Sequence, residues 1–403
     1  MLVANSVRGD PRVWRESKTL ADGGHLVSAG GIERESQFPP FDVVSRLEIT
    51  LVPPSRLSGL AARTLKMARK AEPRPMPTWS RQNRAWKALR TGNSLFQFMG
   101  DVTSLLKHTQ SVKRLAPDVI HAHDLNALWP AVVLGRRYGI RVVYDSHEVF
   151  SEMMSFQLGY KRWLQRLEQR LLNRVEACIT VSDGIADLFV ERYKVKRPYV
   201  IRNIPDGVPI APRSHAGPIT FIYQGGLIPG RGLESLVRAF SILPQGCTSR
   251  LVIRGFGPML PGLREEISRL GLWERVVLAG PVPPSEVILK ASEADVGVIP
   301  FLPINTNNRL ALPNKLFEYL LAGIAILADG GLQEIGKIIE RNQCGRVYAS
   351  AETTALSEQL SRLSRDGDVM RLRQNAYQAA GRELNWDAEK HKLEAVYEVL
   401  QGS

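Results

Sequence analysis

The feature that most constrains this chain is an alternation of predicted strands and helices that occurs twice along its 403 residues. In the first half, apolar runs predict strands at residues 25–29, 118–123 and 140–144, and apolar residues at helical spacing predict a helix at 95–115. Residues 205–218 are rich in proline, glycine and small polar residues, and after them the alternation restarts at 219–223. Further strands are predicted at 250–254, 275–280, 295–299, 324–328 and 345–348. Strands that alternate with helices indicate parallel sheets, so the sequence predicts two doubly wound, Rossmann-like α/β domains.

The domain boundaries are predicted from this restart. Residues 1–205 are expected to form an N-terminal domain with a basic insertion at about 55–92, and residues 206–384 a C-terminal domain. Residues 385–403 are expected to form an amphipathic C-terminal helix. No apolar run approaches the ~20 residues that span a bilayer, and no signal-peptide pattern opens the sequence. We therefore expect a cytoplasmic protein.

Residues 312–329 hold the densest set of candidate binding groups. Pro313 suits the start of a helix and Gly323 its end, with apolar residues at helical spacing between them. Asn314, Lys315 and Glu318 fall in the first turns, where free N–H groups and the helix dipole attract phosphate. The alternative interpretation is an ordinary surface pair of a lysine and a glutamate three residues apart.

A glycine-rich turn at residues 223–232 lies directly between a predicted strand and a predicted helix. Gly225 and Gly226 would let the backbone approach a ligand closely, and Arg231 precedes the helix. A diphosphate fits these groups. Because many strand-to-helix turns need glycine for geometry alone, the interpretation depends also on the second predicted phosphate site at Asn314.

Three histidines lie at the ends of two neighbouring predicted strands. His121 and His123 are two residues apart and so point to the same side, and His147 follows the next strand. The H-x-H spacing with Asp124 could hold zinc, but no further ligand cluster is evident in the sequence. We therefore expect substrate contacts here.

The sequence predicts no metal site. Cys178, Cys247 and Cys344 lie singly among apolar neighbours, without a CxxC pair. Asp366-Gly-Asp368 resembles the DxD of metal-dependent sugar transferases, yet it lies far in sequence from the other candidates. A loop with a helix cap is expected there.

The basic charge of the chain lies in its first half. Residues 1–205 carry 32 Lys and Arg against 19 Asp and Glu, whereas residues 206–403 carry 21 of each. A basic stretch with interspersed Leu, Met and Trp predicts contact with an anionic membrane or nucleic acid, and a solvated loop without a partner is the alternative. Its ten basic residues, against the single acid Glu72, are Arg56, Arg63, Lys66, Arg69, Lys70, Arg74, Arg81, Arg84, Lys87 and Arg90.

Together these motifs resemble the retaining, metal-independent GT-B glycosyltransferases of the large group called family four. The resemblance covers nearly the whole chain and implies two Rossmann-like doubly wound domains that face each other across a cleft. The C-terminal helix would cross back to the N-terminal domain. The matching segments are residues 10–16, 21–25, 118–124, 144–148, 181–183, 202–205 and 385–386.

The resemblance implies a nucleoside-diphosphate sugar on the C-terminal domain, with UDP or GDP as the expected nucleotide, and no cofactor. Arg231 matches the basic residue that neutralises the donor diphosphate, and Glu318 matches the glutamate that holds ribose hydroxyls. His123 matches the histidine that hydrogen-bonds the transferred sugar. The acceptor would lie on the N-terminal domain, with Asp10, Arg12, His147 and Glu148 on its side.

Two positions depart from the family pattern. Gly226 stands where an arginine usually follows the first glycine, and Leu310 stands where the first glutamate of the E-x7-E motif is expected. Lys315 can take over part of the missing charge, so it joins Arg231 and His123 in the predicted catalytic set.

The sequence therefore predicts sugar transfer from a nucleotide sugar to a glycan or lipid-linked acceptor, with retention, at the anionic inner face of the plasma membrane. It predicts no oligomeric state. A GT-B-shaped nucleotide-sugar epimerase, which needs no acceptor, and a catalytically silent sugar-nucleotide-binding partner protein are the alternatives. Nucleic-acid binding is the weakest, because the basic half lacks a recognition module.

Overall fold

A computed structural model describes residues 1–4, 7, 10–32, 48–53, 82–152, 158–214, 217–365 and 367–402, with the side chains of 48–51 and 82–93 left undescribed. Most of the predicted basic insertion and Asp366 lie outside these residues. The chain divides into two compact units. The first comprises Met1–Ile201 with Lys390–Ser403, and the second comprises Arg202–Glu389.

The first unit is built on a parallel sheet. Its described strands are β1 (Leu2–Val3), β2 (Ser28–Ile32), β3 (Glu48–Val52), β4 (Val119–His123), β5 (Arg141–Ser146), β6 (Ala177–Thr180) and β7 (Tyr199–Val200). Its helices are α1 (Pro11–Asp22), α2 (Gln82–Leu105), α3 (Thr109–Leu115), α4 (Leu125–Tyr138), α5 (Leu158–Leu172) and α6 (Asp183–Tyr193), with 3₁₀ turns at Leu106–His108 and Phe150–Glu152. The strand order is β3-β2-β1-β4-β5-β6-β7. The carboxyl ends of β4 and β5 therefore lie side by side.

Two predicted elements of this unit are shifted. The strand predicted at residues 25–29 is β2, Ser28–Ile32, because Gly30 leaves room in the sheet for side chains rather than making a turn. A Cβ at Gly30 would lie 3.0 Å from atoms of both Leu2 and His108. The helix predicted at 95–115 is α2, which begins at Gln82, followed by a 3₁₀ turn and α3.

The second unit is also built on a parallel sheet. Its strands are β8 (Thr220–Gln224), β9 (Arg250–Arg254), β10 (Val276–Ala279), β11 (Val296–Ile299), β12 (Ala325–Asp329) and β13 (Gly345–Tyr348). Its helices are α7 (Leu233–Ser241), α8 (Leu260–Arg269), α9 (Val287–Ala291), α10 (Thr306–Leu310), α11 (Asn314–Leu321), α12 (Gln333–Asn342), α13 (Thr353–Arg365) and α14 (Val369–Arg382), with a 3₁₀ turn at Pro284–Glu286. The strand order is β10-β9-β8-β11-β12-β13, so β8 and β11 adjoin at the centre.

The final helix is α15 (Trp386–Gln401). It begins in the second unit, and its residues from Lys390 onward belong to the first. Among the described residues, no helix combines the length and the apolar character needed to cross a membrane.

Candidate functional sites

The glycine-rich turn of the second unit joins β8 to α7. Gly232 has a φ of +68°, and a Cβ there would lie 1.8 Å from the carbonyl oxygen of Pro300, so the turn requires glycine at this position. Gly225 has a φ of +128°, and its Cβ would lie 3.3 Å from Nζ of Lys315. The turn therefore holds its backbone against the lysine side chain.

Two cations share one phenylalanine ring beside this turn. Nζ of Lys315 lies 4.3 Å from the ring centroid of Phe301 and 3.8 Å from that of Tyr223. Cζ of Arg231 lies 4.1 Å from the same Phe301 ring. These are cation–π distances. Arg231 immediately precedes the N-cap of α7 and Lys315 is the second residue of α11, so both stand near positive helix ends.

The Lys315 ammonium has no anionic partner in the part of the chain that the structure describes. Its side chain is only 7% exposed and contacts two aromatic rings. Burial, and then the charge of Arg231, hold the pKa of Lys315 well below its ordinary value, although Glu318 acts in the opposite direction. A buried, unpaired cation is costly, and an anionic ligand would remove that cost.

Glu318 lies one turn further along α11. Its Oε2 accepts a hydrogen bond from Nε2 of Gln224 at 3.0 Å, and burial raises the pKa of the carboxyl group even though this bond lowers it. The backbone N–H of Gln224 donates to the hydroxyl of Tyr319 at 3.1 Å, which fixes α11 to the end of β8. Asn314 is exposed at the start of the helix and accepts from Nδ2 of Asn203 at 3.2 Å.

The two positions that depart from the family pattern both lie in the described part of this unit. Gly226 is exposed, and its carbonyl accepts the Tyr223 hydroxyl at 2.8 Å. Leu310 is the last residue of α10 and is half-buried. Neither supplies a charge, so the positive charge of the site comes from Arg231 and Lys315.

In the first unit a buried carboxylate, Asp145, organises the end of the sheet. It accepts Nε of Arg12 on Oδ2 at 2.6 Å and Nη2 on Oδ1 at 2.8 Å, and Arg12 also lies 3.0 Å from Oε1 of Glu16. Burial alone would raise the pKa of Asp145, but Arg12 and then His147 hold it well below its usual range. Asp145 therefore stays ionised.

Two histidines bind the same carboxylate. Nδ1 of His123 lies 3.3 Å and Nε2 of His147 lies 3.2 Å from Oδ2 of Asp145. Burial lowers the pKa of His123. A neutral His123 that directs Nδ1–H to Asp145 keeps the lone pair on Nε2, and Nε2 has no hydrogen-bond partner among the described residues. His123 thus presents a buried acceptor.

His147 is held between two carboxylates. Its Nδ1 lies 3.6 Å from Oδ2 of Asp124, and its backbone N–H donates to Oδ1 of the same residue at 3.3 Å. Burial would lower the pKa of His147, but Asp124 and Asp145 raise it to about 10. Asp124 adopts a φ of +65°, a conformation that costs a non-glycine residue of order 1–3 kcal/mol. The backbone is thus strained where it holds an imidazolium.

The cluster has the donor types of a metal site. One atom each from Glu16, His121, His123 and Asp145 lie within 4.8 Å of one another. Arg12, however, already places a cation against both carboxylates and engages both oxygens of Asp145. We therefore assign the cluster to an ion-pair network. The sequence did not reveal it because Glu16 and Asp145 come from separate elements.

The structure gathers the predicted donor-side residues at the carboxyl end of β8, and places His123 and His147 in the Asp145 cluster. Asp10 caps α1 by accepting the N–H groups of residues 12 and 13 at 3.1 and 3.2 Å. Arg12 is only 1% exposed, so it supports the cluster from within. Glu148 is half-buried after β5. Residues that the sequence analysis did not identify are Glu16, Asp145, Tyr223, Gln224 and Phe301.

Comparisons with known proteins match both units. The model of Glycosyltransferase Family 4 matches residues 68–210, and that of the Glycosyl transferases group 1 matches residues 218–366. The two parallel sheets and this pair of matches place the chain in the GT-B class of glycosyltransferases. Within that class, the first unit is similar to Glycosyltransferase Family 4 and the second to the Glycosyl transferases group 1.

Individual relatives are distant. The alpha-monoglucosyldiacylglycerol synthase of Streptococcus pneumoniae is 23% identical over 270 residues, which cover 60% of this chain and 58% of that protein. The chain spans between 17 and 58% of the length of the curated relatives it matches. The activity of the whole protein is therefore not established by these relatives and is treated below as a proposal.

Solved structures share the fold over the full length. A sucrose-phosphate synthase from Thermosynechococcus elongatus aligns with a TM-score of 0.72 at 16% identity, covering 100% of this chain and 99% of that one. The Anabaena protein HepE, solved with UDP, aligns with a TM-score of 0.67 at 14% identity, again over 100% and 99%. At these identities the likeness shows the GT-B fold.

Proposed function

We propose that the protein transfers a sugar from a nucleoside diphosphate to a glycan or lipid-linked acceptor, with retention at the anomeric carbon. The observation that carries the proposal is the buried Lys315 ammonium, which stands with Arg231 beside a glycine-rich turn and lacks an anionic partner among the described residues. A diphosphate supplies two negative charges at this position. Support comes from the matches to two glycosyltransferase family models and from the shared fold of Anabaena HepE, which has been solved with UDP-glucose.

The donor site would act on the leaving group. Negative charge develops on the diphosphate as the bond to the sugar breaks, and preorganised cations stabilise that charge more than they stabilise the ground state. Arg231 and Lys315 are held at fixed places by the Phe301 ring. Glu318, oriented by Gln224, would receive the ribose hydroxyls with its remaining acceptor capacity.

Deprotonation of the acceptor by a donor phosphate oxygen is the proposed route to retention. A front-face substitution of this kind needs no enzyme nucleophile. It also needs no metal, because the two cations carry the charge on the leaving diphosphate. His123 would accept a hydrogen bond from a sugar hydroxyl on Nε2, while Asp145 keeps the opposite ring nitrogen protonated.

The experiment is a donor screen with a defined readout. The protein is incubated with UDP-, GDP- and ADP-sugars and a lipid extract, and the product is followed by NMR. We expect one donor to be consumed only when acceptor is present, with the anomeric configuration kept. Inversion would overturn retention, and epimerisation without acceptor would replace the transferase by the epimerase. Binding without turnover would indicate a silent partner protein.

An anionic membrane is the proposed location of the acceptor. The basic stretch between Arg56 and Arg90 suggested this surface, but residues 54–81 lie outside the described part of the chain. A surface built from described residues must therefore lie on another element.

A further inference from the structure

Helix α5 presents a row of arginines to solvent. Arg162, Arg166 and Arg170 follow one another at intervals of four residues, and all three are exposed. The helix contains one acid, Glu168, which is fully buried and accepts the hydroxyls of Tyr144 and Tyr193. The outer face of α5 therefore carries positive charge alone, over a length of about 12 Å at 1.5 Å per residue.

The row is not neutralised locally. Within the described part of the chain, no carboxylate lies within salt-bridge distance of these three arginines, whereas the neighbouring Lys161 pairs with Glu152 at 2.6 Å. Like charges four residues apart on a helix repel one another and destabilise it. A helix that keeps three such charges in line is suited to an external polyanion.

The inner face of α5 is packed against other elements of the first unit, so the position of this row is fixed. Trp163 packs edge-on against Phe98 and lies 5.7 Å from Tyr160, centroid to centroid. The Tyr160 hydroxyl donates to the carbonyl of Ser94 in α2 at 3.4 Å. The start of α5 therefore lies beside α2, the helix that continues from the basic stretch.

An apolar side chain precedes the charges in the same register. Leu158 lies four residues before Arg162 at the helix start, and its side chain is 60% exposed. A soluble acidic polymer would pair with the arginines but would gain little from this leucine. A bilayer offers both phosphates for the guanidinium groups and an apolar layer beneath them.

We propose that the outer face of α5 docks the protein on an anionic lipid bilayer. The arginines bind lipid phosphates, and Leu158 enters the headgroup boundary. The proposal rests on the proposed function for its lipid-linked acceptor. Docking is measured without turnover, so failure to dock and failure to transfer sugar are distinguishable.

The test uses vesicle flotation with the full-length protein. Binding to vesicles of phosphatidylglycerol and phosphatidylcholine is compared with binding to phosphatidylcholine alone. The variant R162Q/R166Q/R170Q removes the row, and R136Q/R250Q/R264Q removes three exposed arginines elsewhere as a matched control. Melting temperatures and nucleotide binding of each variant establish that the fold is intact.

We expect wild type to bind the anionic vesicles, with binding that weakens as salt is raised. Each arginine contributes about fivefold to the affinity for anionic vesicles, so the variant R162Q/R166Q/R170Q should bind them on the order of 100-fold more weakly. The control variant should lose little affinity. Leu158→Ser should weaken vesicle binding but leave binding to polyphosphate unchanged. Equal losses in both arginine variants, equal binding to both vesicles, or binding to polyphosphate without binding to vesicles would overturn the proposal.

Discussion

At the scale of single residues, the proposed donor site depends on one buried charge. Lys315 is held between the rings of Tyr223 and Phe301, and Arg231 contacts the second of these. Cation–π contacts contribute about 0.5–2 kcal/mol, less than the cost of leaving an ammonium group buried without a counter-ion. The free protein is therefore destabilised at the place where the donor would bind.

Replacing this lysine should separate stability from binding. Lys315→Met keeps an unbranched chain between the rings and removes the charge, so we expect a higher melting temperature for the free protein. Affinity for the cognate nucleoside diphosphate should fall ~10–100-fold, since a charge-assisted hydrogen bond contributes about 1.5–3 kcal/mol. Calorimetry and thermal melts provide both measurements.

Lys196→Met is the control, because that lysine is exposed and belongs to the first unit. It should change neither quantity appreciably. A Lys315→Met variant that melts lower than wild type and binds nucleotide equally well would show that the lysine is structural.

Nucleotide binding should also take up a proton. The pKa of Lys315 is lowered by burial and by Arg231, and a bound diphosphate would raise it again. The complex therefore holds more protons than the free protein, and affinity should fall as pH rises. Calorimetry of UDP binding in buffers of different ionisation enthalpy measures the uptake. A binding enthalpy that is independent of the buffer would contradict this account of Lys315.

The charged residues proposed for this site are recognisable in the sequence, but their surroundings are not. Arg231, Asn314, Lys315 and Glu318 are recognisable because they follow a glycine-rich turn or open a helix. Phe301 comes after a different strand, so its contact with two cations depends on the order of strands in the sheet. No local pattern in the sequence contains that order.

At the scale of elements, the Asp145 cluster joins α1, β4 and β5. Arg12 and Glu16 come from the helix, His121 and His123 from one strand, and Asp145 from the next. The cluster contains groups whose pKa values are raised by the fold. It should therefore make stability depend on pH.

Stability is expected to fall between pH 6.5 and 8. The pKa of His147 is raised from 6.5 to about 10, so its stabilisation is complete below 6.5 and is lost as pH rises toward 10. The pKa of Glu16 is raised by burial from 4.5 to about 8, so the native state retains that proton as well and loses stability up to pH 8. Both contributions have the same sign in this window.

Melting temperatures measured at intervals from pH 6.5 to 9.5 check this. The variant His147→Gln should show a shallower decline than wild type, because one of the two titrating groups is gone. His391→Gln, on an exposed face of α15, is the control and should follow wild type. A wild-type melting temperature that rises over this range would contradict the ion-pair network.

The turn before α7 gives a second prediction at this scale. Gly232→Ala adds a Cβ at positive φ, 1.8 Å from a carbonyl oxygen, and should destabilise the protein by roughly 2 kcal/mol or more. Gly226→Ala is the control, since its Cβ would meet only a side-chain carbon at 3.9 Å. Urea unfolding of both variants is the measurement. Equal stability of the two would contradict the turn geometry.

The elements themselves were predictable where their apolar runs are continuous. The strands of the second unit were predicted to within a residue at each end, because buried parallel strands are apolar on both faces. Helix α5 was not predicted. Its buried stripe includes Glu168, which hydrogen-bonds two tyrosines, so the apolar pattern is interrupted. The partners of this glutamate come from distant segments.

At the scale of the whole molecule, two parallel sheets place their loops at the carboxyl ends of strands, where doubly wound folds bind ligands. The proposed donor site lies at such an end in the second unit, and the Asp145 cluster lies at such an end in the first. The GT-B fold accounts for this arrangement. The nucleotide, the sugar and the acceptor are set by side chains within it.

Sugar transfer should survive metal removal. Arg231 and Lys315 supply the charge that a divalent cation would otherwise provide, so activity after EDTA treatment and desalting should stay within about twofold of the untreated protein. Loss of activity and its recovery with Mn²⁺ or Mg²⁺ would contradict this. Glu16, His121, His123 and Asp145 would then be the first residues to test as ligands, because of their spacing.

If the second unit binds the diphosphate of a nucleotide, thermal shifts with matched ligands should report that binding. Uridine, UMP and UDP, and the guanosine and adenosine series, are each titrated against wild type and Arg231→Gln. Ligand at 100 times its Kd adds about 2.7 kcal/mol of stability, so binding is readily seen. One nucleoside diphosphate should raise the melting temperature well above the value reached with its monophosphate or its nucleoside. In Arg231→Gln, most of the additional rise caused by the diphosphate should be lost. A nucleoside that stabilises as much as its diphosphate, or no shift with any diphosphate, would contradict diphosphate binding by the second unit.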